Sequence, residues 1–413
     1  MQSTSLPNTR MPSTRWGAAL VAVFLGVVAA LSIGKLPPAL PTLRAEFGLT
    51  LAQSGTLVSV FNTLGMVASI FVGLLTPRIG AWRLCMIGLG LLAGGGALGA
   101  AAHSFGHVLA ARFLEGAGFL AVVVAAPALL NLATAPVDRQ RAFSLWGSYM
   151  PTGTALGMLL APMLMAASGW RGLWLAVVVC TAVAMALLRA ERAGFVAAAT
   201  AQPPSGTGWR AAAGPLRAAG PWCIAVCFAC YVFNYYAIMV WLPTFMLGER
   251  QLTLASASLL TAAVVAANIP GNWLGGVLMQ RGVSRGTNVC LAGGVTMLTC
   301  AVIFSPALAD GLRYLGCIAF SFGVGILPGA VMSASQSHAR SLAQVATVQG
   351  MIMQGSNVGQ FVSPLLVAAV VVQAPAGTLD WNRMRGLLLV SGLALVVGGW
   401  ALRVIERRAN PTG

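Results

Sequence analysis

Charged residues are scarce in this chain of 413 residues, at only 8% of the total. A soluble domain carries about 25% charged residues, so this chain has too few to cover a globular surface. Apolar residues make up 58% of the chain and gather in blocks of about 20, the length of a membrane-spanning helix. The blocks do not alternate strictly between apolar and polar residues, which excludes a transmembrane β-barrel. The composition therefore predicts an all-α, polytopic membrane protein.

Motifs for ATP hydrolysis and for enzymatic catalysis are also absent. The sequence has no P-loop, no nucleophile elbow and no HExxH motif. Its eight cysteines lie in apolar blocks, and none of the three histidines joins them at the spacing of a zinc site. An intramembrane enzyme or sensor would need paired carboxylates, a Ser/Lys or metal set, or a soluble output domain, and none is visible. We expect no enzymatic activity, no cofactor and no metal, and a gradient rather than ATP as the energy source.

Acidic residues are few, with 8 against 24 basic residues and a net charge of +16. The basic residues are scattered between apolar blocks rather than clustered in one patch, so we expect no nucleic-acid partner. With the N-terminus inside, 16 of the 24 basic residues fall on the cytoplasmic side and six outside. The positive-inside rule then predicts that both termini are cytoplasmic. We expect a multi-pass protein of the bacterial cytoplasmic (inner) membrane.

Twelve apolar windows of about 20 residues are candidates for membrane spans. They lie at 16–36, 51–75, 84–102, 108–131, 143–167, 172–190, 222–247, 257–279, 287–308, 313–334, 345–372 and 385–405. Between the sixth and seventh windows the chain is polar and rich in proline and glycine, which is typical of a linker. The predicted divisions are a cytoplasmic tail (1–15), a six-helix bundle (16–190), a cytoplasmic linker (191–221), a second six-helix bundle (222–405) and a cytoplasmic tail (406–413).

Short stretches of the first half recur 201–203 residues later. The matches are Leu49-Thr50-Leu51-Ala52 with Leu252-Thr253-Leu254-Ala255, Leu40-Pro41-Thr42 with Leu242-Pro243-Thr244, Arg112 with Arg313, Pro127 with Pro328, and Gly153, Gly157 and Pro162 with Gly355, Gly359 and Pro364. This offset spans six helices, so both halves have the same orientation in the membrane. Parallel repeats of this kind are an architecture of secondary transporters. The sequence predicts twelve transmembrane helices in two parallel six-helix repeats around a central cavity.

The loop after the second span contains the stretch Gly73-Leu-Leu-Thr-Pro77-Arg78-Ile-Gly80-Ala-Trp-Arg83. It is similar to the loop signature Gly-x-x-x-Asp-Arg-x-Gly-Arg-Lys/Arg of the major facilitator superfamily, which the chain resembles over almost its whole length. The stretch Arg112-Phe-Leu-Glu115-Gly116-Ala-Gly118 is similar to its Arg-x-x-x-Gly-x-Gly signature in the fourth span. A proline-rich first span and Tyr149-Met150-Pro151 loosely resemble members of the cyanate-permease type.

The resemblance implies a cytoplasmic gate at the loop signature, formed by Arg78, Gly80 and Arg83. Here Pro77 replaces the aspartate that helps to hold the cytoplasmic side shut in the family. Asp138 in the next cytoplasmic loop is therefore a candidate partner for one of the two arginines.

Apart from four arginines in the end turns of their windows, which the count above places on the two sides of the membrane, three charged residues fall within predicted spans: Lys35, Arg112 and Glu115. A charge at the bilayer centre costs about 2.5–3.5 kcal/mol on insertion scales, so each needs a reason. Arg112 and Glu115 share a helical face. They are either a static lock between spans, or a substrate-binding arginine with Glu115 as the proton carrier. Lys35 either reaches the membrane interface or contacts Glu115 or an anionic solute.

Polar side chains in the second half are further candidates for substrate binding. They are Tyr231, Asn234 and Tyr235 in the seventh span, and Gln349 and Asn357 in the eleventh. Such groups suit an apolar pocket with a few polar contacts, but helix packing with satisfied amides explains them equally well.

These features predict a secondary active transporter of a small organic solute that works by alternating access. Arg112 and Lys35 outnumber Glu115, which favours an anion, and Glu115 is the first candidate for proton coupling. Export of drugs or metabolites is the alternative; a multidrug antiporter of this family tends to have Gly-Pro in span five, where this chain has Gly157-Met158. The expected partners are a small-molecule substrate, protons and the lipid bilayer, and we expect the protein to act as a monomer.

Overall fold

The computed structural model describes residues 13–200, 213–332, 342–372 and 379–409. Across these ranges the chain is helical, apart from short connections and one isolated bridge between Val372 and Leu379. Predictions for the first 12 residues, for the centre of the linker and for the last four residues lie outside the described residues.

The described part of the first half has nine α-helices. They are α1 (Trp16–Gly34), α2 (Leu36–Phe47), α3 (Leu51–Ser59), α4 (Thr63–Ile79), α5 (Ala81–Ala100), α6 (Phe105–Ala133), α7 (Arg139–Gly147), α8 (Tyr149–Ala190) and α9 (Arg192–Thr200). Short 3₁₀ helices lie at Val60–Asn62, between α3 and α4, and at Pro136–Asp138, before α7. The first span is therefore α1 with α2, and the second is α3 with α4.

The described part of the second half has eight α-helices, preceded by a 3₁₀ helix at Gly214–Arg217. They are α10 (Ala219–Arg250), α11 (Leu254–Ala266), α12 (Asn268–Gln280), α13 (Arg285–Ile303), α14 (Asp310–Val324), α15 (Ile326–Met332), α16 (Leu342–Val371) and α17 (Arg383–Ala409).

The helix lengths account for the twelve predicted spans. Ten helical stretches within the described residues are long and apolar enough to cross a membrane. One of them, Arg141–Ala190, has 50 residues; at 1.5 Å per residue it is about 75 Å long, twice the thickness of the bilayer core. It contains non-helical backbone at Ser168 and Gly169, and the break divides it into spans five and six. The 30-residue α16 is the eleventh span, so the twelve-helix architecture is confirmed.

The sequence repeat corresponds to equivalent local structure in the two halves. Thr50 and its counterpart Thr253 each cap a helix, because each hydroxyl accepts a hydrogen bond from the backbone N–H three residues later. Gly80 and Gly282 both have positive φ, at 88° and 82°, a conformation that favours glycine.

Helix crossings also repeat between the halves. A Cβ on Gly153 would lie 2.2 Å from the carbonyl oxygen of Val27, and a Cβ on Gly355 would lie 2.2 Å from that of Ala225. Only glycine allows α8 to approach α1, and α16 to approach α10, so closely.

The two halves meet along the second and eleventh spans. The hydroxyl of Ser59 donates to the carbonyl oxygen of Phe361 at 2.7 Å, and the amide of Asn357 donates to the hydroxyl of Ser69 at 3.3 Å. The halves also contact each other where α8 packs on α11 and where α2 packs on α10. Residues on the inner faces of these helices therefore lie between the two bundles.

The helices extend beyond several of the predicted windows, which corrects one detail of the sequence analysis. Glu46, Glu249, Asp310 and Glu406 lie in the end turns of α2, α10, α14 and α17, so Glu115 is not the sole acidic residue within a membrane-crossing helix. Of these five carboxylates, Glu115 is the one that lies in the middle of its helix. Part of the predicted linker is also helical, as α9.

Candidate functional site

Lys35 lies at a break in the first span, and the two prolines that follow it cause this break. Pro37 and Pro38 have no backbone N–H, so the helix cannot continue its hydrogen bonds through them and restarts at Leu36. Gly34 lies against α8, because a Cβ there would be 2.3 Å from the carbonyl oxygen of Thr154. The Lys35 side chain is therefore held inside the protein and has no exposed surface. It does not reach the membrane interface.

Glu115 lies between two cations and forms an ion pair with each. The Nζ atom of Lys35 is 2.5 Å from its Oε1 atom, and the Nη1 atom of Arg112 is 2.5 Å from its Oε2 atom. All three side chains are 2% exposed or less. We call Lys35, Arg112 and Glu115 the charge triad.

Aromatic rings and a backbone carbonyl fix the two cations of the charge triad. Lys35 Nζ lies 4.4 Å from the centre of the Trp174 ring, and the guanidinium of Arg112 lies 4.3 Å from that of Phe61. At these distances a cation is attracted to the face of the ring. Arg112 also donates to the carbonyl oxygen of Ser32 at 2.7 Å. These contacts pre-organise the two cations.

The charge triad carries one uncompensated positive charge, because two cations share one carboxylate. Among the described residues no other acidic side chain forms an ion pair with Lys35 or Arg112. A buried charge without a partner is costly. The described residues supply no counter-charge for the excess cation of the triad.

A small cavity lies beside Arg112, between the two halves. Its lining residues are Ile33, Leu36, Pro37, Val58, Phe61, Asn62 and Arg112 from the first half, and Tyr236, Met239 and Val240 from the second. The volume of this cavity is about 10 Å³, roughly the room of one water molecule.

Two buried polar atoms at this cavity have no hydrogen-bond partner within the described residues. They are the Nε atom of Arg112 and the Oδ1 atom of Asn62. Buried polar groups are nearly always satisfied, so these two atoms are available to a ligand.

Of the three tyrosines of α10, one lines the cavity and two contact neighbouring helices. Tyr231 donates to Asn268 at 3.3 Å, and Tyr235 lies 3.5 Å from the carbonyl oxygen of Val265; neither lines the small cavity. The next residue, Tyr236, does, and it donates to Gln360 at 2.5 Å. The sequence analysis did not single out Tyr236. Asn234 is fully buried, and neither atom of its amide group has a partner in the described part of the chain.

The two candidates on α16 lie outside the cavity lining. Asn357 donates to Ser69 and to the carbonyl oxygen of Met353, so it joins the two halves. Gln349 is partly buried about two turns earlier on the same helix.

The loop between α4 and α5, which the sequence predicts to be a cytoplasmic gate, does not show the predicted contacts. Arg78 and Arg83 are exposed, and within the described residues neither forms an ion pair with Asp138. Instead, Asp138 accepts a hydrogen bond from Thr14 at 2.5 Å. That hydroxyl also accepts from the backbone N–H of Ala135, so Asp138 is engaged by the N-terminal segment. Gating by Arg78, Gly80, Arg83 and Asp138 stays a prediction.

The sequence matches the family model described as "Major Facilitator Superfamily" over residues 22–364. The probable sulfoacetate transporter SauU of Cupriavidus necator is 26% identical over 378 residues, which are 86% of this chain and 87% of that protein. The chloramphenicol resistance protein of Streptomyces lividans is 34% identical over 171 residues, but this match covers only 40% of the chain and 42% of that protein.

The fold is also similar to a solved structure. The crystal structure of a bacterial homologue of the human lysosomal transporter Spinster, in an inward-facing and unoccupied conformation, aligns with a TM-score of 0.72. The alignment covers 95% of this chain and 97% of that chain, at 15% sequence identity. The likeness at this identity concerns the fold alone.

Proposed function

Since the chain belongs to the Major Facilitator Superfamily and is a secondary transporter of small solutes, we propose that it carries a small organic anion together with protons. The observation that carries this proposal is the charge triad, which combines two buried cations and one carboxylate beside a cavity between the halves. The surplus positive charge would be neutralised by one negative charge on a substrate.

In this proposal Arg112 is the residue that binds the anion. It lines the cavity, and its Nε atom has no partner among the described residues. A guanidinium binds carboxylates and sulfonates through paired hydrogen bonds, which fix orientation as well as charge. Asn62, from the first half, and Tyr236, from the second half, would contact the remainder of the solute.

Alternating access follows from the position of this cavity. Its lining residues come from both halves, so rocking of one bundle against the other would open it to one side of the membrane and then to the other. An anion that binds to both bundles would favour the closed state between these two conformations.

Proton coupling would follow from competition for Arg112. When the anion occupies the guanidinium, Glu115 loses one of its two cation partners. A proton can then take the place of that partner and offset the second negative charge of a dianion, so a dianion and a proton would travel together. On return without substrate, Glu115 would release the proton and pair again with Arg112.

The relatives give this proposal partial support. Sulfoacetate, which the name of the Cupriavidus necator protein contains, is a small organic anion with a carboxylate and a sulfonate. Export of a drug or metabolite is the second candidate, because the Streptomyces lividans match is a resistance protein.

A thermal-shift screen of the purified protein tests the class of substrate. We expect sulfoacetate or another small carboxylate to raise the melting temperature, because its charge would compensate the charge triad. Cyanate tests whether a smaller anion suffices, and cationic drugs are the negative controls. Stabilisation by the cationic drugs alone would contradict the proposal and favour the drug exporter.

The orientation in the membrane is tested by reporter fusions. We propose that both termini and the linker are cytoplasmic, on the asymmetry of 16 basic residues inside against six outside. Fusions at Gly206 and Gly413 should then both give cytoplasmic signals. A periplasmic signal at either position would contradict this orientation.

A further inference from the structure

A groove between the ninth and twelfth spans opens toward the membrane. It is lined by Thr287, Cys290, Leu291, Gly294, Val295 and Leu298 of α13, and by Arg403 of α17. The volume of the groove is about 340 Å³, and that of the cavity beside Arg112 is about 10 Å³. Leu291 is 45% exposed and Leu298 is 70% exposed. In a membrane protein these two side chains face lipid.

The groove exists because one glycine of α13 has no neighbour. A Cβ on Gly293 would lie 2.7 Å from the carbonyl oxygen of Gly392, so the two helices are in close contact on that side. A Cβ on Gly294, the next residue, would meet no atom within 4 Å. The floor of the groove is therefore open at Gly294 and lined mostly by apolar side chains.

One end of the groove is polar and positively charged. The Nε atom of Arg403 is buried and has no hydrogen-bond partner within the described residues. The nearest carboxylate along its helix, Glu406, is already paired with Arg285. Arg407 and Arg408 follow in the next turn and are exposed, so this end of α17 has surplus positive charge.

We propose that this groove binds an anionic phospholipid, with the phosphate at Arg403 and one acyl chain along Gly294. Arginine binds phosphate oxygens through paired, charge-assisted hydrogen bonds. Basic pockets between transmembrane helices are typical binding sites for anionic headgroups. The apolar floor and its opening to the membrane favour a lipid over a free phosphate, and the two neighbouring arginines disfavour a headgroup that also carries a cation.

Native mass spectrometry of the purified protein, titrated with phosphatidylglycerol or phosphatidylcholine, tests the site. We expect retained phosphatidylglycerol on the wild type and about tenfold weaker retention after Arg403→Ala, the loss of one strong charge-assisted contact. Gly294→Leu should also weaken retention by filling the groove. This variant leaves Arg403 in place, so it tests the site even if Arg403→Ala does not fold.

Two matched variants serve as controls. Arg189→Ala removes one exposed positive charge from the end of α8, in the other half of the protein, and Gly90→Leu adds the same side chain at another glycine that has no atom near its Cβ position. Both should retain phosphatidylglycerol as the wild type does. Equal retention of phosphatidylcholine, or equal loss in Arg189→Ala, would overturn the proposal. Displacement of the lipid by inorganic phosphate, together with unchanged retention in Gly294→Leu, would also overturn the proposal. That result would indicate an anion site that does not bind an acyl chain.

Discussion

Replacing Arg112 with alanine is expected to reduce anion uptake by about 100-fold or more, while the protein still folds. Arg112 lines the cavity, and its loss would remove charge-assisted hydrogen bonds worth about 1.5–3 kcal/mol each. The fold should survive because Lys35 and Glu115 remain as a neutral pair at 2.5 Å. The larger penalty of about 3–5 kcal/mol applies to a buried charge that loses its last partner, and here none does. Uptake into proteoliposomes and the melting temperature are the two measurements.

Arg313 offers a matched control, because it is the counterpart of Arg112 in the sequence repeat. It lies at the start of α14 and contacts Asp310 and the carbonyl oxygen of Ile303. Arg313→Ala should leave uptake unchanged. If Arg112→Ala folds and transports normally, Arg112 is not the anion-binding residue. If it fails to accumulate in the membrane, and Arg112→Lys restores both folding and full transport, the residue acts as a structural charge.

The sequence predicts the fold well because the bilayer imposes a simple rule on it. A span needs about 20 apolar residues, so twelve windows could be counted directly. The offset between Gly153 and Gly355 likewise predicts equivalent helix crossings, which the structure shows. Ends of spans were less predictable. Pro37 and Pro38 interrupt the first span, but α2 continues to Phe47, because proline is tolerated in the first turn of a helix.

The charged part of the candidate site was also visible in the sequence. Lys35, Arg112 and Glu115 attract attention because charges within spans are costly. That all three meet could not be derived, since it depends on how α1 packs against α6. The sequence offered Lys35 two environments, and burial beside Trp174 decides between them.

The uncharged part of the site was harder to predict, because it depends on the rotation of each helix about its axis. Tyr235 and Tyr236 are adjacent and chemically identical, yet only Tyr236 lines the cavity. Asn62 lies in a 3₁₀ turn between α3 and α4, and such a turn has no strong sequence pattern. The departure at Pro77 indicated an altered gate, but the contact of Asp138 with Thr14 involves residues far apart in the sequence.

Replacing Glu115 with glutamine is expected to separate anion exchange from proton-driven accumulation. Glutamine has the size of a protonated glutamate and can no longer release a proton. The charge triad would then keep two cations and no carboxylate, so the empty protein should be destabilised by about 3–5 kcal/mol. A bound anion would compensate one of the two cations. We therefore expect a larger increase in melting temperature on adding sulfoacetate than in the wild type.

Transport in proteoliposomes gives the decisive measurement. Glu115→Gln should exchange labelled sulfoacetate across the membrane but should not accumulate it under an imposed pH gradient. Glu249→Gln is the matched control, because Glu249 is exposed at the end of α10 and should keep accumulation that a proton ionophore abolishes. Unchanged accumulation by Glu115→Gln would exclude Glu115 as the proton carrier. Indifference of the wild type to the gradient would exclude proton coupling and leave uniport or sodium coupling, since in either case no titrating carboxylate is required in the charge triad.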